Sequence, residues 1–203
     1  MLEPGSLAIV HAADQMPRNG DQFFPYRQQS DFFYLTGVKQ EKSALILYKP
    51  SGSVTCESFL FILKPNPHLE TWEGRKLTLA EASEISGIKE VATLDAYQDR
   101  LMELMAECPV VYINLFEHLR ARPEVKNRDT RFYQLLKDQC PLHNYLRLAP
   151  LMQQVRVQKE PEEIAIIKQA CNITQNAFHG ICWARQSMVC SSIRWRQSLP
   201  TRF

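Results

Sequence analysis

The chain has no C-x-x-C pair, no glycine-rich loop, no acidic side chain after Glu163, and no apolar run of membrane-spanning length. Each absence excludes a class of function. Six cysteines, at positions 56, 108, 140, 171, 182 and 190, are spaced too irregularly for a zinc ribbon or a small disulfide scaffold. Seven glycines never cluster, so no loop of the phosphate-cradling kind is present. No segment approaches the ~20 apolar residues that cross a bilayer, and Glu3 and Pro4 interrupt any apolar run of the signal-peptide kind. A formal net charge of +2 implies no basic surface for nucleic acid. These absences lead us to expect a soluble, reduced, cytoplasmic protein with neither a membrane nor a nucleic-acid partner.

Charge is nevertheless unevenly spread. Residues 183–203 hold four arginines and no Asp, Glu, Lys or Gly, while residues 1–182 carry 20 basic against 22 acidic side chains. The last 21 positions are compositionally foreign to the rest. A shifted reading frame or a junction with foreign sequence accounts for this best. The alternative is a natural basic terminal segment, and either kind of tail is expected to be poorly ordered.

With 45% apolar residues the chain can bury a true core. Residues 19–37 hold Phe23, Phe24, Phe32, Phe33, Tyr26 and Tyr34, an aromatic mass that soluble chains seldom place in a connection unless it is wedged against a core. Pro25 turns the chain. Ser30 and Asp31 offer an N-cap for a short helix that Gly37 would end, with Phe32, Phe33 and Leu35 pointing inward. The plainest reading of this stretch is an aromatic plug.

Short apolar runs at 6–12, 43–48, 58–63, 90–94, 110–115 and 145–148 read as strands, those at 43–48 and 58–63 as an antiparallel pair about the turn at Pro50–Gly52. Helical spacing marks 78–86, with Thr78 and Glu81 as a capping box and Gly87 as the stop, then 95–107 with Asp95 as the cap, 129–140 and 149–155. Residues 64–76 read as a loop broken by Pro65 and Pro67. The alternation predicts an α/β fold, a layered mixed β-sheet flanked by helices. Pro161 opens a further helix reaching about Cys182, with Glu162 and Glu163 at its positive end. That helix is apolar on two faces, Ile164, Ile167, Cys171 and Phe178 on one and Ile166, Ala170, Ile173 and Ala177 on the other. It therefore expects cover from more chain than follows it.

Three blocks, PYRQQSDFFYLTG at 25–37, WEGRK at 72–76 and VRVQKEPEEIAIIKQACNIT at 155–174, resemble the amino-terminal domain of Xaa-Pro aminopeptidases (aminopeptidase P) of the creatinase and prolidase group. The likeness extends over nearly all of residues 1–182. It implies a creatinase-like, ribonuclease-H-like domain at 1–157, a linker and the first helix of a truncated "pita-bread" catalytic domain at 158–182, and the anomalous tail at 183–203. Prolidase and creatinase remain within-family alternatives.

The resemblance also implies a parent enzyme with two metal ions, usually manganese, held by two Asp, one His and two Glu of the catalytic domain and activating a bridging water. All those ligands would lie downstream of the 161–182 helix, and only His179 follows Glu163 among candidate His, Asp and Glu ligands. We therefore assign no catalytic and no metal-binding residue, and no cofactor, to this chain, which is expected to be inactive alone. By the same resemblance Trp72 helps wall the substrate pocket of a neighbouring subunit in a homo-oligomer acting on proline-containing peptides. The alternative is that Trp72 packs its own loop. Arg75 is the second candidate substrate-binding residue, with Glu70 or Glu73 as possible local partners. Relatives with dead catalytic domains bind peptides or proteins, so a non-catalytic binding module is the alternative function.

Other chemistry is poorly represented. His11, His68, His118 and His143 have no ligand-like spacing and read as ordinary polar or half-buried histidines. No strained strand-to-helix turn presents a serine nucleophile. No partner activates a cysteine nearby in sequence, and Glu162 and Glu163 face different directions on a helix.

Overall fold

The structure, a computed structural model, describes residues 2–66, 68, 70–117 and 124–180. The tail at 183–203 and His118 lie outside these residues. The chain divides into two compact units, Met1–Gln154 and Val155–Phe203.

Strand β1 (Ser6–His11) is buried at every position, so both its faces must be covered. It pairs antiparallel with β4 (Ala44–Lys49), which pairs antiparallel with β5 (Glu57–Ile62) about the expected turn. On its other side β1 pairs parallel with β7 (Val110–Ile113), and β7 pairs parallel with β8 (Asn144–Arg147). With β6 (Glu90–Thr93) parallel to β5, the sheet order is β6-β5-β4-β1-β7-β8. This is the mixed, helix-flanked sheet that the alternation predicts.

The pleat sorts the core. Leu7 and Ile9 face α4 (Tyr97–Glu107) and α5 (Arg128–Gln139), joining Ile46, Phe61, Leu101 and Leu136. Ala8 and Val10 face the other way, with Leu45, Leu60 and Phe32 of α1 (Ser30–Thr36), Ala82 of α3 (Leu79–Ser86) and Met152 of α6 (Ala149–Val157). Each strand therefore feeds two layers.

Helix α3 starts and stops as expected. The Thr78 hydroxyl accepts from the Glu81 amide, the Glu81 carboxylate accepts from the Thr78 amide at 2.9 Å, and Gly87 ends the helix at φ 69°. These bonds from the Thr78 backbone and hydroxyl hold the Glu81 carboxyl below its usual range, with a smaller contribution from Arg75.

Several expectations are corrected. The N-cap of α1 is Gln29, whose side chain accepts from the Phe32 amide at 2.6 Å, one residue before Ser30. Phe33 does not point inward. It is 41% exposed beneath the Lys39 ammonium, 5.8 Å away, because a short helix buries only one stripe and Phe32 occupies it. Asp95 lies inside a 3-10 turn at Leu94–Ala96 and does not cap α4, whose N-cap is Ala96. Asn127 caps α5. Residues 14–24 hold a small hairpin, β2 (Pro17–Asn19) and β3 (Gln22–Phe23), that the polar composition concealed. The loop after β5 contains one helical turn, α2 (Glu70–Glu73).

In the second unit, α7 (Pro161–Phe178) begins at Pro161, and the Glu163 carboxylate accepts from the Glu160 amide at 3.0 Å. None of its residues is buried, Ile164, Ile166, Ile167 and Ile173 included.

Candidate functional site

The aromatic stretch is organised by a glutamine. The Gln28 carbonyl oxygen accepts from the Ala13 amide (2.9 Å), the Gln29 amide (2.9 Å) and the Tyr26 hydroxyl (2.8 Å). Its amide nitrogen donates to the carbonyls of Val38 (3.1 Å) and Gln40 (3.0 Å). One half-buried side chain thus joins the end of β1, the entry to α1 and the segment after Gly37. Burial, aided by nearby Glu41, pushes the Tyr26 phenol up to about 12, so it stays a donor at neutral pH.

Gln40 carries the arrangement onward. Its side-chain oxygen accepts from the Leu77 amide at 2.7 Å and its nitrogen donates to the Leu63 carbonyl at 3.4 Å. Next to it Glu41 pairs with the Lys76 ammonium, both side chains largely shielded from solvent. The loop at 70–77 is therefore held at its carboxyl end by two consecutive residues of the 38–43 segment. Gly74, at φ 76°, makes the turn out of α2 that brings Lys76 back to Glu41.

That anchored loop presents Trp72, which is 85% exposed. The indole does not pack its loop onto the domain, so the local-packing reading of Trp72 has no support in the geometry. Arg75 pairs with Glu81 at 2.6 Å, and not with Glu70 or Glu73, because the capping box already fixes the Glu81 carboxylate within its reach. An exposed pair of this kind contributes little to stability. Beside the loop lies an open cleft of about 420 Å³, with Gly37, Leu77 and Ile85 as its apolar part and Lys39, Glu73 and Arg75 among its charged lining. Arg75 lines this cleft, and Trp72 lies three positions before it on the same loop.

Of the histidines that read as ordinary in the sequence, the three within the described residues are not alike. His68 is exposed, and His143 shares a 2.9 Å hydrogen bond with the Met105 carbonyl. His11 is only 2% exposed, with Nδ1 2.6 Å from an Asp129 carboxylate oxygen and Nε2 2.9 Å from the Tyr97 hydroxyl. The signal for it was present in the strand period, since residues 7, 9 and 11 share the α4–α5 face. No substrate could reach this buried set. Among the described residues, no group of three His, Cys, Asp or Glu side chains could hold a metal ion, and Cys56, Cys108, Cys140 and Cys171 are free thiols. Burial pushes the Cys108 thiol up to about 11, the opposite of activation.

Comparison with known proteins gives a consistent result. Residues 1–112 match the family described as aminopeptidase P, N-terminal domain. The chain is similar to the Xaa-Pro aminopeptidase of Escherichia coli K12, 30% identical over 177 residues, which covers 87% of this chain and 40% of the relative. Among solved structures it is similar to the low-pH form of aminopeptidase P from E. coli, with a TM-score of 0.70 and 29% identity over 87% of this chain and 40% of that one. Proline aminopeptidase P II from Yersinia pestis gives a TM-score of 0.77 and 26% identity, covering 98% and 45%. The chain thus spans about 40% of the length of the E. coli relative.

Proposed function

The chain belongs to the aminopeptidase P N-terminal domain family, and we propose that it is the substrate-access and oligomerisation domain of a Xaa-Pro aminopeptidase, a metal-dependent hydrolase of the cytoplasm that removes the residue preceding proline. The observation that carries this reading is Trp72, an indole left 85% exposed on a loop that Gln40 and Glu41 hold in place. A large aromatic presented on a fixed support suits the wall of a pocket supplied by another subunit. Arg75, tethered to Glu81 beside the open cleft, is the second substrate-facing residue. It would meet the carboxylates or carbonyls of a bound peptide.

The described residues offer no set that fits the two manganese ions that such a peptidase would use. No triad of possible ligands occurs among the described residues, and no Asp or Glu follows Glu163. The metals and the hydrolytic water belong, on this reading, to chain following α7. What this domain contributes is positioning and exclusion, with an aromatic wall limiting the bulk of the entering peptide. No helix among the described residues is long and apolar enough to cross a membrane.

The test is Trp72→Ala in the protein whose sequence continues into the metal-bearing domain. Loss of a pocket-wall indole is expected to raise KM for an Xaa-Pro peptide about tenfold while kcat changes less than about twofold. The melting temperature should stay unchanged, because the residue is 85% exposed. Unaltered KM in the variant would overturn the pocket-wall role of Trp72, whereas no Xaa-Pro cleavage by the unaltered longer protein would leave a non-catalytic binding role as the better account.

A further inference from the structure

We propose that His11, Asp129 and Tyr97 form an acid-sensitive latch, which holds the amino-terminal end of α5 on the sheet only while the His11 imidazole is neutral. The three side chains come from β1, α5 and the start of α4, and all three are buried. Two hydrogen bonds therefore tie two helices to the strand on which the core is built.

The bonding pattern fixes the protons. Asp129 lies in the first turn of α5 and its carboxylate can only accept, so the 2.6 Å contact requires His11 Nδ1–H as donor. Nε2 then accepts, and the Tyr97 hydroxyl donates to it at 2.9 Å. Burial pushes the Tyr97 phenol far above its ordinary range, so it does not ionise. Protonating Nε2 would place two donors against each other across that contact. Tyr97 would have to turn its hydrogen towards surroundings made by Phe61 and Phe132.

Charge points the same way. The groups facing His11 are Asp129 and Arg128 from α5, Tyr97 from α4, and Asp14 from the chain leaving β1. Arg128 is largely desolvated and donates to the Ser43 carbonyl at 3.0 Å, while Asp14 is held by Arg131 at 2.7 Å. Asp129 is then the buried carboxylate that faces both the Arg128 guanidinium and an imidazolium at His11, and one negative charge does not offset two positive ones. Desolvation lowers the His11 pKa below its ordinary 6.5, and the Asp129 hydrogen bond opposes this without reversing it.

A histidine depressed in the folded state stabilises it fully above about pH 6.5, and loses that contribution as pH falls below 6.5 towards the folded value. Opening of α5 then takes up one proton. Its equilibrium constant rises by up to tenfold for each pH unit lost in that window. Helix α3, held by the Thr78–Glu81 box and remote from any histidine bond, has no such dependence there.

The experiment is hydrogen exchange of the full 203-residue chain at pH 7.5 and pH 5.5, read as protection of α5 relative to α3 so that the intrinsic pH dependence of exchange cancels. The ratio should fall severalfold, by up to about tenfold, in the native chain and stay constant in His11→Gln, whose amide can donate to Asp129 and accept from Tyr97 without titrating. A constant ratio in the native chain, or an equal fall in both proteins, would overturn the latch. Should the variant not fold, the ring-proton titration of the native chain decides. His11 remaining neutral as the pH falls below 6.5 upholds the latch, whereas titration of His11 at its ordinary 6.5 with α5 still protected overturns it.

Discussion

Replacing Gln28 with leucine is expected to remove about 3–5 kcal/mol of folding stability, which lowers the melting temperature of the first unit by roughly 10 °C. Leucine has similar bulk and can fill the space, so the loss comes from polar groups. The amides of Ala13 and Gln29 and the Tyr26 hydroxyl lose their acceptor, and the carbonyls of Val38 and Gln40 lose their donor. A typical intramolecular hydrogen bond is worth about 1 kcal/mol net, and leaving a buried group unpaired costs about 1–3 kcal/mol. Water reaches part of this half-buried site, which keeps the sum near the lower bound. Urea titration checks the figure, and a loss below about 1 kcal/mol would show that Gln28 does not organise the stretch. Because Gln28 sets the backbone of Gln40, and Gln40 holds Leu77, the same variant should also loosen the Trp72 loop.

Phe32→Ala should cost about 3–5 kcal/mol, whereas Phe33→Ala should cost less than about 1 kcal/mol. The two phenylalanines are adjacent, and the helix period sends them in different directions. Phe32 is fully buried among Val10, Leu45 and Ile62, where alanine leaves a cavity that a packed sheet cannot close. Phe33 lies on the surface under Lys39, and loses mainly a weak cation–π contact. Equal losses at the two positions would contradict the packing described for α1.

Strand and helix limits were legible wherever burial and local chemistry agree. Strands β1, β4 and β5 are continuous apolar runs, and they lie within a residue of where the sequence puts them. The Thr78, Glu81 and Gly87 signals each act as read, since all three operate within one turn of backbone. Gln29 escaped notice because glutamine seldom caps a helix, and here the neighbouring Gln28 network holds its backbone extended. The β2–β3 hairpin is exposed throughout and so has no apolar alternation to announce it.

The candidate site was half legible. Trp72 stood out by residue type and by its place in a known block, but its support did not. Gln40 and Glu41 lie more than thirty positions earlier, and side-chain to backbone bonds leave no periodic trace. Arg75 was offered carboxylates at 70 and 73, while the fold supplies the one at 81, already fixed by its cap. His11 reads as an ordinary strand histidine until α5 arrives from 118 positions away with Asp129.

The most direct test is to assay the purified 203-residue chain, with manganese added, for release of the amino-terminal residue from an Xaa-Pro peptide. A domain that shapes the pocket but holds no metal ligands predicts no release above background at any manganese concentration. Metal-dependent release that co-elutes with the chain on gel filtration would contradict the account, and would place a catalytic centre within these residues.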